Sequence, residues 1–374
     1  MMCVNKPKAL VFFQYLPPWR IDVFNEMAKY YQLTIVYTNA EVEGFQYDRE
    51  DLLGRLDNSI TNIFLNNGFK IGKRPIRFGL YKIINSVKPD IVFSHEYSPT
   101  SIAVAMIKKL KLLNYQYVIT TSDNLAIARG VKGVKGLFRR YVLSIAGSVI
   151  VYSEAVKKFY EQTFPKLEVG ICPNIQSPQS LLNYKRSFQE TVEGYKERFN
   201  LKDQKIVLYT GRLKQHIKGL DLLLEAFAKS ENENYKLVLV GTGHDKDALE
   251  NQCASLHIKD KVIFAGFYSG KDLYAWYHIA DFYVLPSRYE PFGAVVNEAL
   301  VFGCPVLGSK YIGALDFITD QNGKIFDPLE SEEFVESLNY MYSNSHDKNE
   351  DKKENLMPVS FEQYVKVFYS VYNS

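Results

Sequence analysis

The stretch SRYEPFGAVVNEALVFGCP, residues 287–305, reads as the end of a strand, a tight loop and the start of a helix. The apolar run Phe282 to Leu285 precedes it, Pro286 and Ser287 break that run, and Ala294 to Phe302 has helical spacing. Glu290 and Glu298, eight positions apart, therefore fall at the mouth of a helix and about two turns along it, at about 1.5 Å of rise per residue. Between them the backbone N–H groups of Phe292, Gly293 and Ala294 are helix-terminal donors with no intrahelical partner. A carboxylate beside such donors can grip a polyhydroxylated ligand from two sides. Glutamates near a helix start also favour the macrodipole, so a plain surface helix is the other reading of these residues taken alone.

Upstream, KIVLYTGRLKQHIKGLDLLLEAFA, residues 205–228, has a buried strand at Ile206 to Tyr209, a turn at Thr210-Gly211 and an amphipathic helix from Gly219. Arg212 and Lys218 flank the turn. Two cations beside a glycine-containing strand-to-helix loop suit a diphosphate, Arg as a planar fork and Lys as a mobile point charge. A solvated basic surface is the alternative.

Taken together, the second half resembles the nucleotide-binding domain of retaining GT-B glycosyltransferases of sequence family 4. The motifs stand in order: Gly211-Arg212-Leu213 with Lys218-Gly219, Gly241-Thr242-Gly243 after Leu237 to Val240, and Glu290 with Pro291-Phe292-Gly293 and Glu298. The match runs from about Lys205 to Pro328. Arg212 and Lys218 lie six apart where five is commoner, which makes one of Gln215, His216 or Ile217 an added loop residue.

The resemblance implies two Rossmann-like, doubly wound α/β domains facing across a cleft, with a C-terminal helix crossing back to the first. The expected boundaries are 1–176 plus 358–374 for an acceptor domain, 177–204 for a connector, and 205–357 for a nucleotide-sugar domain. At 374 residues the chain exceeds what one core usually supports, which agrees. Strand-like runs at 8–13, 33–37, 91–94, 117–120 and 148–152, then 206–209, 237–240, 262–264, 282–285 and 305–307, alternate with helical patterns. ICPNIQSPQS, Ile171 to Ser180, reads as the link between halves; Phe188 to Phe199 is a charged helical segment leading into the second. Ser343 to Asn355 reads as a polar loop, and Phe361, Tyr364, Val365 and Phe368 as a terminal helix.

Four cysteines, Cys3, Cys172, Cys253 and Cys304, lack C-x-x-C spacing, which argues against a disulfide framework or a zinc site and fits a reducing cytosol. The apolar run Ala9 to Phe13 is too brief for a signal-peptide core, and Tyr141 to Tyr152, broken by Ser144, Gly147 and Ser148, is short of the ~20 residues of a membrane span. The net charge of +3 hides an asymmetry: residues 65–147 hold 14 basic against 3 acidic side chains. They include Lys70, Lys73, Arg74, Lys109, Lys111, Lys132 and Lys135, and the apolar residues interleaved in SIAVAMIKKLKLL and KGVKGLFRRYVLSIAG suit a helix face lying on an anionic membrane. A solvated face is the alternative; nucleic acid is not expected as a partner.

By resemblance, Gly211, Arg212 and Lys218 hold the donor diphosphate, replacing the metal other transferases use, and no metal or other cofactor is expected. Glu290 and the N–H groups of Phe292, Gly293 and Ala294 hold the donor sugar, Glu298 the ribose, and Tyr268 and Gly243 lie near the base. In the first domain His95, which ends the strand in DIVFSHEYSPT just before a turn, is the catalytic candidate beside Glu290; a structural histidine is the other reading. Gln14 and Tyr15, in QYLPPWR where the family usually has Gly-Gly, and Asp123 and Asn124 are expected on the acceptor side. Asp245-Lys246-Asp247 imitates a metal motif of a different fold, yet follows a Gly-x-Gly turn and opens a helix, where acids favour the dipole.

The expected activity is retaining transfer from a nucleotide-diphosphate sugar to a saccharide acceptor, lipid-linked in surface polysaccharide assembly, by a cytoplasmic protein peripheral on the inner membrane face. Three rivals are weaker. A nucleotide-sugar epimerase or inverting enzyme fits the motif order poorly. A nicotinamide oxidoreductase wants G-x-G-x-x-G after the first strand, where QYLPPW stands. A catalytically silent membrane- or polyanion-binding scaffold would not need both cations and both glutamates.

Overall fold

The computed structural model describes residues 6–39, 48–72, 74–184, 188–231, 233–344 and 353–373. Cys3, Lys73 and most of the polar stretch Ser343 to Asn355 lie outside the described residues. The chain divides into two compact units, residues 1–175 with 361–374, and residues 176–360.

In the first unit the strands are β1 (Lys8–Phe13), β2 (Gln32–Tyr37), β3 (Thr61–Phe64), β4 (Gly68–Ile71), β5 (Arg74–Arg77), β6 (Ile91–His95), β7 (Gln116–Thr120), β8 (Ser148–Val151) and β9 (Glu168–Ile171). All but β4 and β5 form one parallel sheet in the order β3-β2-β1-β6-β7-β8-β9. β4 and β5 pair as a separate antiparallel hairpin. Runs such as Ala9–Phe13 and Ile91–Phe93 are buried along their whole length, as parallel strands covered on both faces must be.

In the second unit the strands are β10 (Lys205–Thr210), β11 (Tyr235–Val240), β12 (Val262–Gly266), β13 (Phe282–Leu285), β14 (Val306–Ser309) and β15 (Gly323–Phe326). They pair in parallel in the order β12-β11-β10-β13-β14-β15. In both sheets the order reverses beside the first strand, between β1 and β6 and between β10 and β13. Loops leaving adjacent strands there diverge, which opens a crevice outside the strands' carboxyl ends.

The sequence reading omits β3, the β4–β5 hairpin, β9 and β15, because these runs are short or mixed in polarity. Ile171, read as part of the link, ends β9. Segment 177–204, read as a connector, contains helices Pro178–Leu182 and Phe188–Arg198. The second packs into the second unit by stacking Tyr195 on Trp276, with ring centroids 4.4 Å apart.

The chain's end returns to the first unit. It does so as two short helices, Phe361–Val365 and Val367–Asn373, rather than one. Tyr31 donates to the Phe368 carbonyl at 2.7 Å, and the Phe368 and Phe93 rings meet edge to face at 5.4 Å. A side chain at Gly170 on β9 would collide with Val367, so the strap lies directly on the sheet's edge.

Candidate functional site

In the second unit the site is built where β10 and β13 part. Beyond β10 the loop after Gly211 lies backbone to backbone against the loop after β11: Gly211 N–H donates to Val240 at 2.9 Å, and Leu213 N–H to Thr242 at 2.9 Å. A Cβ at Gly243 would strike the Leu213 carbonyl, so this glycine is needed for close approach of two loops.

The extra residue between Arg212 and Lys218 is absorbed by a helical turn, Gln215–Lys218. Asp245 accepts the Gln215 N–H at 2.7 Å, which gives the imitation metal motif a capping role. The turn ends at Gly219 with φ of 65°, where a Cβ would strike the Pro286 carbonyl. Gly219 therefore joins the two loops that the sheet sends apart.

Arg288 locks that junction and was not singled out from sequence. Its guanidinium grips Asp221 with two bonds of 2.6 and 2.7 Å, and Nη1 also donates to the Gln215 carbonyl at 3.3 Å. Its own N–H donates to the Ile217 carbonyl at 3.0 Å. The signal in the sequence is an Arg in the glutamate loop and an Asp after Lys218-Gly219, which only the fold makes neighbours.

The result is direct contact between the two motifs: Lys218 Nζ pairs with Glu290 Oε2, each side chain 16% exposed. Glu290 is pinned by its backbone to the loop after β14, its N–H donating to Tyr311 at 3.2 Å and its carbonyl accepting from Gly313 at 3.1 Å. Gly293, with φ of 95°, turns the chain into helix Ala294–Val301. Arg212 is exposed. Among the described residues the Gly293 and Ala294 N–H groups make no hydrogen bond.

Glu298, on that helix, has both oxygens engaged: Oε2 accepts from Tyr277 at 2.9 Å and Oε1 from Gln176 at 3.1 Å. Burial pushes its pKa up. Tyr277 also meets Thr210 at 2.7 Å, so this carboxylate is tied to the end of β10. Tyr268 turns its ring edge to face against Tyr195 and Trp276, at 5.2 and 5.9 Å. The aromatic ring standing open after β12 is its neighbour Phe267, 72% exposed.

In the first unit His95 ends β6 with Nδ1 2.9 Å from Thr120 Oγ1 and its ring stacked on Phe13 at 4.2 Å. Burial, reinforced by the Arg20 guanidinium, lowers its pKa to about 3. Arg20 itself is buried: Nη2 donates to Tyr152 at 2.8 Å, while Nε and Nη1 have no partner among the described residues. Glu96 holds Ser122 through its N–H at 2.8 Å. Asp123 accepts from Tyr160 at 2.9 Å, and burial together with the Glu96 charge raises its pKa to about 6. Asn124 caps helix Leu125–Gly130 by accepting from Ile127 at 2.8 Å. Gln14 is exposed and Tyr15 half-buried in the loop after β1. A cavity of about 420 Å³ gathers Gln14, His95, Glu96 and Asp123.

Residues 193–356 match the family model of Glycosyl transferases group 1. A lipopolysaccharide 1,2-N-acetylglucosaminetransferase of Salmonella typhimurium is 32% identical over 207 residues, covering 51% of this chain and 52% of that protein. The chain spans about half the length of the curated relatives it matches, or less. Among solved structures, a glycosyltransferase from Rickettsia africae aligns with a TM-score of 0.72 at 18% identity, over 99% of this chain and 98% of its own. An Anabaena protein in complex with UDP-glucose aligns with a TM-score of 0.64 at 18% identity, over 98% and 100%. Residues 193–356 are thus similar to the group 1 glycosyltransferase domain, in a chain that shares the GT-B fold of these structures.

Two outcomes follow from this geometry. Arg288→Lys keeps a charge but loses the fork that holds Asp221 and the Gln215–Lys218 turn. Urea unfolding should find the variant less stable by about 1–3 kcal/mol, the range for a lost hydrogen bond to a charged group; unchanged stability would discard the clamp. For His95, the native ring stays neutral down to about pH 3, whereas the unfolded chain protonates below its ordinary value of about 6.5. The unfolded state binds more protons in that window, so stability falls as pH drops, by about 2 kcal/mol at pH 5. Urea unfolding at pH 7.5 and pH 5.0 should find His95→Gln less pH-sensitive by about that amount.

Proposed function

We propose that the protein is a retaining glycosyltransferase that moves a sugar from a nucleotide-diphosphate sugar to a hydroxyl of a saccharide acceptor. The observation that carries this reading is the Lys218–Glu290 pair at the crevice between β10 and β13. A diphosphate entering beside Lys218 and Arg212 offers the ammonium a stronger partner than one carboxylate. Glu290 is then released to accept hydroxyls of the donor sugar, while the Gly293 and Ala294 N–H groups face anionic oxygen at a helix start. Glu298 receives the ribose, and Phe267 supplies an open ring face for the base.

In the reaction the bond from the anomeric carbon to the diphosphate oxygen breaks, and a bond to the acceptor oxygen forms on the same face. The acceptor proton passes to the departing diphosphate, whose charge Arg212 and Lys218 neutralise without a metal. The protein supplies position and electrostatics rather than a nucleophile. His95, kept neutral by burial and Arg20, donates or accepts a hydrogen bond beside the reacting sugar without adding charge. The name of the Salmonella relative and the UDP-glucose of the Anabaena complex support a nucleotide-sugar donor and a saccharide acceptor.

The acceptor is lipid-linked in this reading, and the protein peripheral on an anionic cytoplasmic membrane face. Support comes from the first unit's surface, where Phe69, Ile71, Leu110, Leu112, Val134 and Leu137 are all exposed. They lie on or next to β4–β5 and helices Pro99–Lys109 and Gly133–Leu143, which pack as neighbours. Lys70, Lys109, Lys111 and Lys132 stand among them. Among the described residues no helix is long and apolar enough to cross a membrane.

Lys218→Ala and Glu290→Ala should each lower kcat/KM at least about 1,000-fold, on the order of 4 kcal/mol, with circular dichroism and a cooperative melt retained. EDTA should leave the wild-type rate unchanged, and NMR should find donor and product anomers alike. Near-normal turnover of both variants would remove the assignment. Separately, the protein should co-sediment with phosphatidylglycerol vesicles at low salt and release at high salt, since each cation near such a surface contributes about 1 kcal/mol. No binding at low salt would dismiss the membrane.

A further inference from the structure

The cavity of about 420 Å³ in the first unit falls within the ~300–1,000 Å³ common for small-molecule sites. It opens where the loops after β1 and β6 diverge, the same relation that builds the site in the second unit. Its chemistry is divided. Of the groups that line it, Asp123 is buried and His95 and Glu96 are half-buried, whereas Arg74 and Lys135 are exposed.

The less exposed part of the lining is rich in acceptors. Glu96 and Asp123 repel each other, which helps hold the Asp123 pKa up. A further anion there is excluded, whereas neutral hydroxyls can donate to both carboxylates. Phe13, stacked on His95, and Phe138, 42% exposed, give the cavity apolar faces suited to a sugar ring. The exposed part of the lining has the opposite character. Among the described residues, neither Arg74 nor Lys135 makes an ion pair or a side-chain hydrogen bond, although each lines the cavity. Arg74 begins β5 and Lys135 lies in helix Gly133–Leu143, so two separate elements each turn a cation toward one space.

We infer that Arg74 and Lys135 form an anion clamp, and that the acceptor is a phosphorylated saccharide whose hydroxyls meet Asp123 and Glu96 while its phosphate lies between the two cations. This rests on the glycosyltransferase reading and narrows its acceptor class. An Arg fork and a Lys ammonium are the usual pair for a phosphate ester, and charge-assisted bonds of this kind are about twice as strong as neutral ones. The clamp also sets polarity: phosphate toward the exposed rim, hydroxylated ring toward the buried acceptors. The phosphate belongs to a soluble sugar ester or to a lipid-linked one, since the same group is recognised in both.

The test is calorimetric titration with UDP present at saturation, so that the diphosphate site of the second unit is filled. Glucose 1-phosphate should bind at least 10-fold tighter than methyl glucoside, and that preference should vanish in Arg74→Ala/Lys135→Ala. The variant's melting temperature and UDP affinity should match the wild type, since both side chains are exposed and outside the donor unit. A second arm uses phosphatidylcholine vesicles carrying polyprenyl phosphoglucose. Clamp-dependent binding only to those vesicles assigns a lipid-linked acceptor, and clamp-dependent binding of the soluble ester assigns a free sugar phosphate. Absence of any phosphate preference in either arm, or a preference that survives in the variant, overturns the clamp. Failure of the wild type to bind any nucleoside diphosphate, UDP and GDP alike, would instead strike the glycosyltransferase reading.

Discussion

Lys218 and Glu290 meet because β10 and β13 are adjacent parallel strands whose following segments must leave in opposite directions. A parallel sheet can reverse its winding only at such a place, and it leaves a crevice there that no crossover helix fills. The two charged side chains, 72 residues apart in the chain, are delivered to it from either side. Their contact needs two supports. Gly219 removes a side chain that would collide with the Pro286 carbonyl, and Arg288 bridges the Gln215–Lys218 turn to Asp221. The glutamate's other neighbours, Tyr311 and Gly313, come from the loop after β14. Three separate loops, those after β10, β13 and β14, therefore hold one ion pair.

The first unit repeats the architecture with different electrostatics. At its own reversal the side chains are buried and mostly short of charge compensation: Arg20 against Tyr152, His95 held neutral, Asp123 held near pH 6. Groups in such a setting favour neutral hydrogen-bonding partners, while the cations of Arg74 and Lys135 stay in solvent. The two reversals therefore differ in kind: an exposed Arg212 and a Lys218–Glu290 pair in the second unit, and buried polar groups in the first.

Much of this was legible in the chain. The long apolar runs 8–13, 206–209, 237–240 and 282–285 announced the central strands, because a strand buried on both faces must be apolar at every position. Edge strands β3, β9 and β15 escaped since one side faces partly away from the core and their patterns are mixed. The terminal helix was expected, but its interruption at Lys366 was not, because the heptad-like spacing carries across the break. Phe267 and Tyr268 could not be told apart in sequence: which of two adjacent rings packs on Trp276 depends on where β12 ends.

Local order in the chain determined the alternation of strands and helices, the glycines that bracket the two charged loops, and the charged residue types those loops carry. Only the tertiary structure decided that Arg288 would clamp Asp221, that Glu298 would be tied to Tyr277 and Gln176, and that Arg74 and Lys135 would share one cavity. The reason is range. Periodicity and turn chemistry act over a few residues, whereas these partners are brought together by strand order, which is a property of the whole sheet.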